Sequence, residues 1–307
     1  MTARRPLRLK WFAIVSLLTL CPLLSGCGTL RLAYAQADTI AGWWLDGYLD
    51  FTPAQAPLVR QSLAQWLSWH RARPLGEDVA LLDQLARDAA ADVTPAQTCR
   101  LWAQLQARQM LYLEQLVTGP FGDVLADLGD AQLHHLQARF DESNREWRHK
   151  YLRGDADQRQ RAAWDRVVDR GALIYGRIDA AQRRFIAERL RASPWDPQRW
   201  LTERQRQQRD TIETLQRLPA PGTDRAARQA LLRAWATRTV QPADEAARQY
   251  REQLVRFQCE LAADLHQRTS AEQRRHAAER FQGWAQDLRS AAATPAAATA
   301  TATATAP

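Results

Sequence analysis

Beyond its first twenty-six residues the sequence holds three thiols, Cys27, Cys99 and Cys259. Cys27 follows Leu24-Ser25-Gly26. A thiolate is the side chain suited to forming a thioether, and small residues before it leave the preceding peptide bond open to a peptidase. Cys99 and Cys259 fall on apolar faces of predicted helices, so two readings stay open. One is a disulfide closing a loop of about 160 residues, the other two buried free thiols. His134 and His135 are adjacent, which on a helix turns their side chains about 100° apart and denies them the shared metal of an i, i+4 pair. Nucleophile elbows, phosphate loops, metalloprotease motifs and metal-spaced cysteine pairs are missing, and nothing marks two carboxylates as a catalytic pair. The expectation is a protein without catalytic residues, metal or cofactor.

Cys27 stands at the end of a secretory leader. Arg4, Arg5, Arg8 and Lys10 precede an uncharged apolar run from Trp11 to Leu24, broken by Pro22. That run falls short of the roughly 20 residues a spanning helix needs, and the zoned layout is that of a cleaved signal. Leu24-Ser25-Gly26-Cys27 resembles the lipobox of bacterial lipoproteins. The resemblance implies a signal peptide over residues 1–26, cleavage before Cys27, and diacylglycerol and palmitate-type chains on the new first residue. Several acyl chains, at about 0.8 kcal/mol per buried methylene, give stable anchoring. By similarity to enterobacterial sorting rules, Gly28 in place of an inner-membrane-retaining Asp implies the periplasmic face of the outer membrane. An oxidising periplasm would also permit the Cys99–Cys259 bond. Loss of the leader removes four positive and no negative charges, taking the formal balance from +8 to +4. The remaining arginines are interspersed with Glu, Asp and Gln, which reads as a solvated helical surface and excludes a nucleic-acid footprint.

The rest of the chain reads as all-α. Apolar residues recur at three and four, as in Val59, Leu63, Trp66 and His70, with Arg60, Gln61 and Arg71 on the other side. The same period runs through Cys99, Trp102, Leu105, Leu113 and Leu116; through Leu133, Leu136, Phe140 and Trp147; through Trp164, Val167, Val168 and Ile174; and through Leu254, Phe257, Leu261 and Leu265. About ten amphipathic helices are expected over a single domain, residues 27–290, with Pro219 to Gly222 the candidate split. The Ala/Thr alternation of residues 291–307 has little to bury and reads as a disordered tail.

One tetrad recurs: Thr52-Pro53-Ala54-Gln55, Thr94-Pro95-Ala96-Gln97, Asp179-Ala180-Ala181-Gln182 and Ser270-Ala271-Glu272-Gln273, with Asp130-Ala131-Gln132 a truncated relative. Thr, Ser or Asp at a helix N-cap accepts from an unpaired amide, while Gln three residues on reaches back to the cap residue's own N–H. Phe51, Val93 and Ile178 precede their caps, where a hydrophobic staple begins. The spacings of 42, 85 and 91 residues exclude a solenoid of fixed period. The tetrads resemble the Leu-Thr-x-x-Gln signature of small helical periplasmic chaperones, which would imply a binder of unfolded proteins. A broader resemblance, carried by Arg31, Leu32, Tyr34 and by Trp43, Trp44, Leu45, Asp46, Tyr48, Leu49 and Asp50 before the first tetrad, is to an uncharacterised proteobacterial family of envelope lipoproteins. It implies an envelope address and a helical fold, and no activity.

Eleven tryptophans follow Cys27. Core packing is the expected place for most. Trp43 and Trp44, sixteen and seventeen residues after Cys27, cannot both face inward from adjacent helix positions, so they are expected at the bilayer interface or against a partner. The expected function is a non-catalytic, membrane-anchored lipoprotein working by contact with an unknown envelope protein. The alternative is a chaperone-like binder of unfolded envelope proteins. A concave, Arg-rimmed apolar cradle would favour the chaperone, and a deep pocket of converging carboxylates and histidines would favour an enzyme.

Overall fold

The structure, a computed structural model, describes residues 29–220 and 224–293. The leader, Cys27 and most of the Ala/Thr tail lie outside the described residues. Those described form thirteen helices: α1 (Thr29–Ala35), α2 (Ala37–Leu49), α3 (Gln55–Ala72), α4 (Pro74–Asp88), α5 (Pro95–Thr118), α6 (Pro120–Ala126), α7 (Asp130–Tyr151), α8 (Ala156–Tyr175), α9 (Ala180–Arg191), α10 (Pro197–Arg217), α11 (Arg225–Val240), α12 (Glu245–Gln267) and α13 (Ala271–Ala293). The count exceeds the ten expected partly because α1 and α6 are only seven residues long. Helices that short are not stable alone and are held by packing; α1 lies along α13, and α6 on α3 and α5.

Two cores organise the bundle. The larger gathers Leu49, Val59, Leu63, Val117, Phe121, Leu133, Leu136, Leu215, Leu218, Leu232 and Ala236 from α2, α3 and α5–α7, from α10 and the residue after it, and from α11. Residues on both sides of Pro219–Gly222 enter it, Leu215 and Leu218 before and Leu232 and Ala236 after. The smaller core is Val168, Ile178, Ile186 and Leu265, from α8, the α8–α9 turn, α9 and α12. Helix α13 lies against α4, α1 and α8, and α12 against α5, so the last two helices tie the halves of the chain together. At the tight corner between α5 and α6, a Cβ on Gly122 would lie 2.2 Å from the Val117 carbonyl oxygen, so only glycine fits there. Helix α13 runs to Ala293 with Ala291 buried. The first alanines of the expected tail, residues 291–293, are therefore helical, and the rest of it lies outside the described residues.

Most tryptophans are not in the core. Every described tryptophan is partly or fully exposed. Trp43 and Trp44 are 74% and 63% exposed, and with Leu32 and Ile40 form an uncovered apolar stripe on α1 and α2. The periodic residues Trp102 and Leu105 of α5 are also exposed. They line a cleft instead of packing in a core.

Candidate functional site: glutamine locks and an arginine-rimmed cleft

The tetrads at Thr94, Asp179 and Ser270 cap helices as their residue types dictate, whereas α3 starts at Gln55 with Ala54 as its N-cap, two residues after Thr52. Thr94 and Gln97 form a reciprocal capping box, as do Asp179 with Gln182 and Ser270 with Gln273. At Thr52 the hydroxyl accepts from Gln55 N–H, and Gln55 Oε1 accepts from Thr52 N–H. The truncated relative starts one residue earlier than expected: Gly129 is the N-cap, its N–H bonds Gln132 Oε1, and Asp130 is the first helical residue. A further box, Asp155 with Gln158, opens α8.

Four of these glutamines do more than cap. Gln55 and Gln132 face each other as a reciprocal amide pair, Nε2 of each donating to Oε1 of the other at 3.3 and 2.9 Å. Gln182 and Gln273 form a second such pair at 2.7 and 2.9 Å. The remaining Nε2 protons follow one rule. Gln55 donates to the carbonyl of Asp127 and Gln132 to that of Asp50, while Gln182 donates to Arg268 and Gln273 to Arg177. Each acceptor lies five residues before the partner glutamine, so each lock has a local two-fold arrangement and the two locks are equivalent. All four hydrogen-bonding positions of each amide are filled, which is what allows Gln55, Gln132 and Gln182 to be buried. The chemistry is structural: each lock fastens two helix starts that are distant in sequence.

Cys99 and Cys259 are joined by a disulfide, with Cα atoms 5.3 Å apart, linking the first turn of α5 to α12. His134 is exposed, and His135 is half-buried with Nε2 3.3 Å from the Gly47 carbonyl. Among the described residues no group of three or more His, Cys, Asp or Glu is arranged to hold a metal ion.

Two buried polar networks escaped the sequence reading. In one, Asp78 accepts from Nε2–H of His70 at 3.1 Å, from the Tyr112 hydroxyl and from Arg108, while His70 Nδ1 faces the Tyr34 hydroxyl at 2.7 Å. Burial pushes the Asp78 carboxyl upward, but the hydrogen bonds from His70, Arg108 and Tyr112 outweigh it and hold it below its ordinary range. Burial raises Tyr34 to about 12. The network ties α1, α3, α4 and α5 and gives Tyr34 a structural role. In the other, His266 donates from Nε2 to the Ala91 carbonyl at 2.8 Å and faces the Tyr175 hydroxyl at 2.9 Å through Nδ1. Burial holds His266 below its ordinary value.

Between the two halves lies a cleft of about 1210 Å³, bounded by α4, α5, α7–α10, α12 and α13. Its inner wall is apolar, with Leu101, Val167, Ile174, Leu254, Leu261 and Phe281 among the residues that line it. Trp147, Tyr151, Trp195 and Trp200 form an aromatic wall, Trp147 stacked with Trp200 at 6.4 Å and Tyr151 edge-on to Trp195 at 5.7 Å. Five arginines line it, Arg100, Arg159, Arg166, Arg170 and Arg191, against one carboxylate, Asp88. The Arg166 guanidinium lies 4.8 Å from the Tyr151 ring and 5.7 Å from Trp195. Burial pushes its pKa downward, with Arg170 adding to the effect. None of these arginines is in an ion pair among the described residues. Helical spacing explains the placement: Arg159, Arg166 and Arg170 share the face of α8 that carries Ala163, Val167 and Ile174.

The molecule is thus an all-helical protein with two equivalent glutamine locks and a large cationic cleft of apolar lining. It belongs to a family of unknown function, DUF6279, which it matches over residues 47–239, more than half of the chain. That span holds the first lock and the five rim arginines, while α12, α13 and Cys259 lie beyond it. No curated protein and no solved structure matches the chain.

Proposed function

We propose that this is a proteobacterial envelope lipoprotein that acts by non-covalent contact and not by catalysis. Cys27 carries the lipid and holds the helical body at the periplasmic face of the outer membrane, where it meets another envelope component. The cleft carries the reading of binding. Its apolar wall and cationic rim attract and desolvate a ligand, and the histidines nearest to a catalytic role, His70 and His266, are engaged in structural hydrogen bonds. Anchoring is supported by the lipobox resemblance and by the exposed Leu32, Ile40, Trp43 and Trp44, which follow Cys27 within seventeen residues of sequence. Among the described residues no helix is long and apolar enough to cross a membrane. Mass spectrometry of the protein extracted from membranes tests the anchor: an acylated Cys27 at the new N-terminus is expected, and an unmodified thiol or a retained leader would refute it. Photo-crosslinking from Trp102 and from Trp43 in intact cells tests contact, with a specific adduct expected from at least one.

The cleft favours a second reading, a holder of unfolded envelope proteins, because it is concave, apolar and rimmed by arginine. The mature chain with Cys27→Ser should then suppress aggregation of a denatured client, and no effect at stoichiometric amounts counts against it.

A further inference from the structure

We infer that the cleft takes a single-chain anionic amphiphile, its acyl tail against the inner wall and its carboxylate or phosphate head against Arg166 and Arg170. The inference rests on the cleft being the binding site.

Three features carry it. The first is the division of lining residues by depth. The glutamines that line the cleft, Gln84, Gln97, Gln104, Gln160 and Gln258, are all exposed, as are Trp102 and Leu105 at its mouth, whereas Leu101, Val167, Ile174, Leu254, Leu261 and Phe281 are buried or half-buried. A polypeptide laid along that depth would bring an N–H and a C=O with every residue and leave them unpaired. An acyl chain brings neither. The second is the charge imbalance of five arginines to one aspartate. The third is Arg166 itself. Its guanidinium lies against the Tyr151 ring and beside Trp195, with no hydrogen-bond acceptor among the described residues and with Arg170 one turn away as a like charge. A partly desolvated arginine beside a second arginine is stabilised by an anion that accepts from both, and carboxylate and phosphate each offer the paired oxygens that a guanidinium matches. The cleft is also larger than a typical small-ligand pocket of roughly 300–1,000 Å³, leaving room for a long chain.

The test is displacement of a dansyl-labelled undecanoic acid from the mature chain, disulfide intact and Cys27→Ser. Competitors are palmitate, palmitoyl lysophosphatidic acid, neutral monopalmitoylglycerol and a reduced, carboxymethylated polypeptide. The anionic lipids should displace the probe at least about tenfold more strongly than the neutral one. Arg166→Gln with Arg170→Gln should bring the anions down to the neutral level while leaving the neutral ligand unchanged. Val167→Trp should weaken every lipid by filling the tail's space, and Arg161→Gln, on α8 but away from the cleft, should change nothing. Circular dichroism confirms that each variant is folded. Displacement by palmitate alone assigns a carboxylate head, and by lysophosphatidic acid alone a phosphate head. Equal displacement by neutral and anionic lipids, or anion displacement untouched by the double variant, overturns the inference. Binding of the unfolded polypeptide without any lipid overturns it too but leaves the cleft as a binding site, whereas no displacement by any competitor and no probe binding defeats both.

Discussion

Gln182→Glu changes one buried NH2 into an oxygen and almost nothing of shape. Gln182 is 1% exposed. Its Oε1 accepts from Asp179 N–H at 3.0 Å and Gln273 Nε2 at 2.9 Å, and both bonds survive in the variant. The two donated bonds, to the Arg268 carbonyl at 2.9 Å and Gln273 Oε1 at 2.7 Å, become oxygen-to-oxygen contacts. Each buried acceptor left unpaired costs about 1–3 kcal/mol, so the expected loss is about 4 kcal/mol, a large part of a domain's usual stability of about 5–15. Urea unfolding followed by helical circular dichroism reads it as a lower midpoint at unchanged slope. Gln97→Glu is the control, because Gln97 is exposed and its side chain caps α5 only by accepting from the Thr94 amide and hydroxyl, bonds that glutamate keeps; a change within about 0.5 kcal/mol of zero is expected there. The environment of position 182 raises the new carboxyl's folded pKa above its unfolded value, so the penalty is fully felt at neutral pH and shrinks as the group is protonated on acidification. Equal losses at positions 97 and 182 would show that capping alone, and not the cross-chain amide pair, accounts for these glutamines.

Thiol counting in denaturant without reductant should find Cys99 and Cys259 unreactive, and reduction should cost roughly 5 kcal/mol by chain entropy for a separation of 160 residues. Because burial lowers the His266 pKa, the unfolded chain binds its proton first as pH drops below about 6.5, and stability is lost in that window; His266→Gln should show a shallower loss in pH-dependent urea titrations. Asp78→Asn should destabilise by about 2–3 kcal/mol, since Arg108 keeps only its exposed Glu77 partner and one of the two oxygens that serve His70, Tyr112 and Arg108 becomes an NH2 facing a donor. Asp78 is depressed in the fold, so its stabilisation is present above the unfolded pKa and disappears as pH falls toward the folded one; D78N should remove that part of the acid loss. Trp43→Ser with Trp44→Ser should weaken binding of the unlipidated chain to vesicles without lowering its unfolding midpoint, because both rings are largely exposed.

Much of this architecture is legible in the residues. Three- and four-residue apolar spacing marks the long helices, and the tetrads mark where several begin, since a cap is a local transaction between residues three apart. What the tetrads conceal is their pairing: Gln55 with Gln132 spans 77 residues and Gln182 with Gln273 spans 91. Nothing local distinguishes these glutamines from Gln97, which only caps. The cleft is hidden for a related reason. Arg166 and Arg170 look like a solvated helix face, and Trp102 at a periodic position looks like core, because both patterns describe one helix and a cavity is made by several. Helix α1 is likewise a product of packing, with Tyr34 seated on His70 and its length too short to declare itself.

The bond between Cys99 and Cys259 makes the shape of the cleft answer to the redox state of the chain. Thr98 and Arg100 flank one of its sulfurs, and Cys259 belongs to the cleft's own lining. A reduced chain lacks the crosspiece that ties α5 to α12, two of the cleft's walls. Under the binding role proposed for the cleft, oxidation of this pair fixes the width of the space that a ligand meets.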